Sequence, residues 1–276
     1  MLLSLALAAA VTVIALALIR LEAANTRIGN QDLEIEEQQD LIDKKETFGA
    51  AMEILLDTAE SFAGVKTASV VPFERFETVA ASAWTHRWDA ATLTRDITTV
   101  ENETAGLTEL LATAGIEATT NGTGSVYETI TDQLGRGFVT TLVDDARALC
   151  GDVLACVFSG DPYAVHFDAA ASGEPHMNDF LRTGVAYHEM AHVLQFTNPE
   201  PTKIAVAAFG GDVETMADCF ALTYLDGWSL NHRVYINRYE YWIVDIGYGY
   251  TCNDAQKQVI RDWYEPLGFQ VTPISQ

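Results

Sequence analysis

The sequence predicts a mainly helical α+β protein, and three observations predict it. Apolar residues recur at helical spacing in two stretches, 179–196 and 212–222. Just upstream, Leu154–Phe158 and Tyr163–Phe167 are short runs rich in β-branched and aromatic residues, with the turn-forming Ser159-Gly160-Asp161-Pro162 between them. At the N-terminus, Leu2–Ile19 is almost wholly apolar, broken only by Ser4 and Thr12 and followed by Arg20.

The N-terminal run is near the minimum length for a membrane-spanning helix and also fits a long signal-peptide core. No small-x-small cleavage site follows it, so the expectation is an uncleaved membrane helix over residues 1–20, with secretion after signal cleavage as the alternative. Counting positive charges, Arg20 and Arg27 would leave the remainder in the cytoplasm. The four cysteines argue the other way. None has metal-ligand spacing, and three pairings are open, among them Cys150–Cys156 with Cys219–Cys252. Paired cysteines imply an oxidising compartment, so the expected location of the main domain is extracytoplasmic.

Residues 21–65 read as an acidic helical stalk. Glu, Gln and Asp crowd positions 31–46, and Leu41, Phe48, Met52, Leu55, Ala59 and Phe62 form a helical stripe. A stripe this short is expected to pack on its own domain, with dimerisation through a coiled coil as the alternative. Thr119–Ser125, with two glycines, is a loop separating a helical first part from the remainder of a 66–276 domain. The formal charge of −23, from 39 acidic and 16 basic residues, makes nucleic acid and anionic membrane surfaces poor partners. With 49% hydrophobic residues the chain can bury a substantial core.

The chemistry-bearing motif lies in the first of the two helical stretches. His188-Glu189-Met190-Ala191-His192 places two histidines about 40° apart around a helix and one turn up, so both rings can reach one point. Neutral imidazole is a common zinc ligand, and a glutamate between two such rings can act on a metal-polarised water. The flanks Val185-Ala186-Tyr187 and Val193-Leu194 suit a buried helix. Asn178 or Asp179 would cap its start, and Asn198, Pro199 and Pro201 would end it, giving a helix over 179–196. The plain alternative is a pair of core histidines satisfied by local hydrogen bonds.

A zinc site needs a third protein ligand. A third histidine six residues on, after a glycine, is excluded, because those positions hold Gln195 and Asn198. A glutamate from a second helix is available: Glu214 and Asp218, four apart, share one face of a helix starting near Asp212. The plain alternative there is an exposed acidic pair.

H-E-x-x-H followed by E-x-x-x-D on a second helix resembles the gluzincin group of zinc metallopeptidases. The stretches His188–Gln195 and Glu214–Ala221 are most similar to the bacterial neutral zinc metallopeptidase type, over about residues 179–225. The resemblance implies a zincin-like domain with a small sheet packed on the motif helix. It implies His188, His192 and Glu214 as Zn2+ ligands, Glu189 as general base, and Asp218 as the acceptor that orients His188. It also implies a tyrosine or histidine donor to the oxyanion from beyond the second helix. Candidates are His232, Arg233, Tyr235, Tyr239, Tyr241, Tyr248 and Tyr250, with His232 and Tyr235 preferred for closeness to that helix. The alternative for Tyr235–Tyr250 is a packed aromatic layer. His166 and His176 are further candidate contacts.

The expected partner is a peptide or protein substrate, laid as an added strand along one edge of the two-strand sheet. Two rivals stand beside the peptidase: a catalytically silent zinc-binding surface module, and an anchored structural or adhesion protein in which the motif is accidental.

Overall fold

The computed structural model describes residues 2–249 and 252–268, the side chains of residues 2–17 and of Ala68 excepted. The chain divides into two compact units. The first holds residues up to Leu55 together with Glu74–Glu103, and the second holds Leu56–Phe73 with everything from Thr104 onward.

In the first unit the stalk is continuous helix. Helix α1 spans Leu2–Glu60, followed by α2 (Phe73–Thr85) and α3 (Ala90–Glu117). Residues 18–40 of α1 are exposed throughout, among them the apolar Leu18, Ile19, Leu21, Ile28, Leu33 and Ile35. The apolar stripe then turns inward: Leu41, Phe48 and Met52 are half-buried, and Leu55, Ala59 and Phe62 are buried. The stripe is therefore covered by its own chain. Ser82 donates to Asp96 at 3.0 Å, Arg75 pairs with Glu103 at 3.4 Å, and Lys45 sits 3.9 Å over the Trp88 ring. The anchor expected over residues 1–20 falls largely on side chains outside the described residues. Among the described residues no helix is long and apolar enough to cross a membrane.

The second unit is built around one helix. In chain order its elements are α4 (Val126–Gly135), β1 (Thr140–Asp144), α5 (Ala146–Cys150), β2 (Ala155–Phe158), β3 (Asp161–Asp168) and α6 (Ala169–Ser172), then α7 (Asp179–Thr197), α8 (Pro199–Ala205), α9 (Val213–Tyr224), β4 (Asn231–Tyr235), β5 (Tyr241–Asp245) and α10 (Asp254–Tyr264). Helix α7 is buried at Leu181, Val185, Ala186, Met190 and Val193 towards one apolar cluster, which includes Tyr127, Val165, Phe167 and Trp228. Ala191 and Leu194 face a second cluster with Phe209, Met216, Phe220, Ile260 and Trp263. A helix with apolar clusters on two sides has no wide solvent face. Each fully buried Leu, Val or Met contributes about 1.5–3 kcal/mol.

The ends of these helices are fixed locally. Asn178 accepts from the Leu181 N–H at 3.0 Å, and Asp179 places a negative charge in the first turn of α7. The Asn198 amide closes the other end on the Leu194 carbonyl at 3.0 Å and also donates to the Lys66 carbonyl at 2.9 Å. Asp212 caps α9, accepting from the backbone N–H groups of Glu214 at 2.9 Å and Thr215 at 3.3 Å.

The sheet has three strands in the order β1-β3-β2, one more than the sequence suggested. β1 runs parallel to β3 with Leu142 opposite His166, and β2 runs antiparallel with Cys156 opposite His166. The turn expected over residues 159–162 is shorter, since β3 already begins at Asp161, and a register shift at Val157/Phe158 accommodates it. β1 and β2 are the two edges, and α7 packs on β2 and β3. Both disulfides anticipated among the three pairings are present, Cys150–Cys156 and Cys219–Cys252. The tyrosine-rich stretch is not a packed aromatic layer. β4 and β5 form a hairpin whose outward residues Tyr235 and Tyr241, with Tyr239 at its tip, are exposed.

One close approach depends on a missing side chain. A Cβ on Gly184 would lie 2.0 Å from the Trp228 ring, so the indole lies against α7 only because position 184 is glycine. Gly184→Ala is expected to destabilise the fold by about 1–3 kcal/mol through overpacking, despite alanine's better helix propensity. Urea unfolding of the two proteins side by side measures this.

Candidate metal centre

Helices α7 and α9 pack against each other and bring the motif residues together. His188 Nε2 lies 3.1 Å from His192 Nε2 and 3.1 Å from Glu214 Oε2, and His192 Nε2 lies 3.0 Å from the same Glu214 oxygen. Among the described residues, His188, His192 and Glu214 form a group that could hold a metal ion.

The opposite side of each ring is tied. Asp218 Oδ1 accepts from His188 Nδ1 at 2.8 Å. Gln195 donates through Nε2 to the Val213 carbonyl at 3.0 Å, which turns its Oε1 towards His192 Nδ1 at 2.9 Å. With both Nδ1 atoms engaged in this way, a ring in its neutral form presents an Nε2 lone pair to the Glu214 carboxylate. Three acceptors about 3 Å apart repel one another unless a cation lies between them. Ligands at about 2.0–2.1 Å from a tetrahedral zinc ion lie about 3.3 Å from one another. The donor set fits such an ion in both chemistry and spacing.

The electrostatics fit as well. Burial opposes charge on His188, but hydrogen bonds to Asp218 and Glu214 outweigh it and push the ring up to about 10. Burial would raise the Glu214 carboxyl, yet its hydrogen bonds to His188 and His192 hold it well below the usual carboxylate range.

Glu189 lies between the two histidines, is 5% exposed, and has a buried Oε2 with no hydrogen-bond partner. Burial raises its pKa, with the flanking histidines working against that rise. A buried carboxylate oxygen without a partner is costly.

Tyr248 completes the group, whereas the two preferred candidates do not. Its ring stacks on His188 with centroids 6.0 Å apart, and its backbone N–H donates to Asp218 Oδ2 at 2.7 Å. Burial first, then the carboxylates of Glu214, Glu189 and Asp218, push its phenol up to about 12, so it stays protonated. Gly247 sets this approach: at φ +99° its missing Cβ would lie 2.7 Å from Asp218 Oδ1. The Gly247-Tyr248-Gly249 run was a legible turn signal, but nothing in the sequence showed that it folds back onto Asp218.

His232 packs instead on Trp228 and Phe180, centroids 4.5 and 5.6 Å away, and burial lowers its pKa. Tyr235 is 65% exposed and pairs with Tyr241 across the hairpin. On β4, His232 is thus taken up by Trp228 and Phe180 while Tyr235 faces solvent, so neither reaches the group despite following α9 closely in sequence. Tyr250 lies outside the described residues. His166 is bound to Asp144 at 2.8 Å on the sheet, and His176 sits beside Trp242; neither joins the group.

The site opens to a cleft of about 270 Å³ lined by His188, Glu189, Asp218 and Tyr248 among others. An adjoining well of about 160 Å³ is lined by His192, Glu214 and the edge strand residues Ala155, Cys156 and Val157. No family model matches the chain, and neither a curated protein nor a solved structure is similar to it.

Gln195 was not foreseen as part of the site, although it lies three residues past His192 on the same side of the helix. Gln195→Leu keeps the volume but removes both hydrogen bonds. It is expected to weaken zinc binding about 10–100-fold while the protein stays folded, as read by competition with a chromogenic chelator.

Proposed function

We propose that this protein is a zinc-dependent peptidase. The observation that carries the reading is the convergence of His188, His192 and Glu214 at mutual distances of 3.0–3.1 Å beside the unpartnered carboxylate of Glu189. Two imidazoles and one carboxylate form a three-ligand set that leaves one position for water, the pattern of catalytic zinc. The resemblance of the two motifs to gluzincins supports the same conclusion.

Zinc held there would lower the pKa of a water and polarise a substrate carbonyl. The protein's own residues supply the rest. Glu189, raised in basicity by burial, takes the proton from the attacking water and delivers it to the leaving amine as the C–N bond breaks. Asp218 and Gln195 keep the ligand rings in the tautomer that binds metal. Tyr248, protonated and beside the triad, donates to the oxyanion that develops on the carbonyl.

The substrate backbone has a place to lie. Leu154 C=O accepts from Asp168 N–H at 2.9 Å, so the alternation of an antiparallel ladder turns the backbone groups of Ala155 and Val157 to the free edge of β2. Those two residues line the well beside the triad, and an extended peptide would add there as a fourth strand. The two disulfides support an extracytoplasmic location, with the apolar N-terminal segment as the proposed membrane anchor.

A single experiment separates this from the silent zinc-binding module: metal content and peptide hydrolysis measured together. His188→Ala and Glu214→Ala are expected to lose both. Glu189→Gln should keep stoichiometric zinc and lose hydrolysis. Tyr248→Phe should keep zinc and lower kcat about 10²–10³-fold with little change in KM, the cost of one oxyanion donor. Wild-type protein that binds zinc but hydrolyses nothing in a broad peptide library would establish the silent module, and protein purified without zinc would end both readings.

A further inference from the structure

We propose that two copies of this chain associate through α1 as a parallel two-stranded coiled coil, because Leu21, Ile28, Ile35 and Ile42 recur every seven residues along one face of that helix and all four stand exposed. They are 58%, 55%, 63% and 47% exposed. The row is distinct from the stripe of Leu41, Phe48 and Met52, which the chain covers itself. It lies within the first unit, on a helix continuous from Leu2 to Glu60.

A seven-residue repeat drifts by only about 20° per repeat around a straight helix, and a left-handed supercoil removes the drift. With the row at the a positions, Ala24, Gln31 and Gln38 fall at d and are exposed too. β-Branched Ile at a suits two strands, and polar residues in the seam hold its register at a cost in stability. The seam ends where the chain begins to cover the helix: at the next d position Lys45 is half-buried, over the Trp88 ring. Before that point residues 18–40 are helical yet exposed on every side. An isolated helix is marginal in water, and helices in proteins take most of their stability from packing an apolar face. A second copy of α1 supplies that packing.

Charge selects the same partner and the parallel direction. In a parallel pair the g position of one strand meets the e position of the next heptad in the other. Those pairs are Arg20 with Asn25, Arg27 with Asp32, and Glu34 with Gln39. The Arg27–Asp32 pair is attractive and occurs twice by symmetry, and no pair sets like charges together. Among the described residues neither Arg27 nor Asp32 has an ion-pair partner within its own chain. Glu22, Glu36, Glu37 and Asp40 fall at the outward b, c and f positions, where their charge stays in water. A parallel pair also keeps the two apolar segments Leu2–Ile19 at one end.

The test uses the full chain in a mild detergent, which covers its apolar N-terminal segment, and sedimentation equilibrium at micromolar concentration. The wild type is expected to have the mass of a dimer. Ile28→Glu combined with Ile35→Glu keeps good helix formers in place but puts charge into the seam, and is expected to raise the dimer's Kd at least about 100-fold. Leu33→Glu, at an f position on the opposite face, is expected to leave the dimer intact. Arg27→Glu should weaken it several-fold, and adding Asp32→Arg should restore it by reversing the pair. The native cysteines are all in disulfides, so an added one reports on its own neighbours. Ile28→Cys is expected to cross-link two chains on mild oxidation, and Leu33→Cys is not. A monomeric wild type would overturn the inference. So would a dimer that survives Ile28→Glu with Ile35→Glu, which would assign association to another surface such as the apolar N-terminal segment. Cross-linking through Leu33→Cys in preference to Ile28→Cys, or an Arg27→Glu loss that Asp32→Arg fails to restore, would overturn it equally.

Discussion

The structure depends on two hydrogen bonds that face away from the candidate metal centre. Asp218 holds His188 and Gln195 holds His192, each by Nδ1, so both Nε2 atoms must turn towards Glu214. The first bond joins two helices and the second is tied to the neighbouring helix through its acceptor residue. Asp218 comes from α9, and Gln195, although on α7, spends its amide N–H on Val213 at the start of α9. The two helices are thereby fixed in rotation as well as distance. Small residues allow the contact: Ala191 and Ala217 are both fully buried in the shared cluster. A larger side chain at either position would separate the helices and open the triad.

This arrangement opposes stability and is offset around its edges. Glu189, Glu214 and Asp218 crowd carboxylates into a largely buried volume, where each costs free energy unless paired. Asp218 is satisfied by His188 and by the Tyr248 N–H, and Glu214 by both histidines. Glu189 alone keeps an unpartnered oxygen. The burial on both sides of α7 supplies the offset.

Much of this was legible because it is periodic or punctuated. Apolar spacing, an Asn cap and two prolines fixed α7 to within a residue, and the four-residue spacing of Glu214 and Asp218 placed both carboxylates on one face of α9. What escaped was long-range. Strand β1 was not read from the sequence, and its parallel pairing with β3 is a long-range contact that local pattern does not show. His232 and Tyr235 follow α9 most closely in sequence, but the hairpin carries them away from the centre. Tyr248, sixteen and thirteen residues further on, returns because the chain after β5 folds onto Asp218. Proximity along the chain carries no information about which arm of a hairpin ends at the site.

The disulfides show how the remaining freedom is removed. Burial fixes α7 and α9, but it cannot fix the two cleft walls that face solvent. One is the edge strand β2, which lacks a neighbour on its outer side; the other is the loop bearing Tyr248, which is 54% exposed. Each wall carries one bridge. Cys150–Cys156 ties β2 to the end of α5, and Cys219–Cys252 ties the chain beyond Tyr248 to the residue beside Asp218. Such links act by restricting the chain, worth about 2–4 kcal/mol each, and need no apolar area to do so. Each covalent link therefore reinforces a cleft wall that has a solvent-facing side.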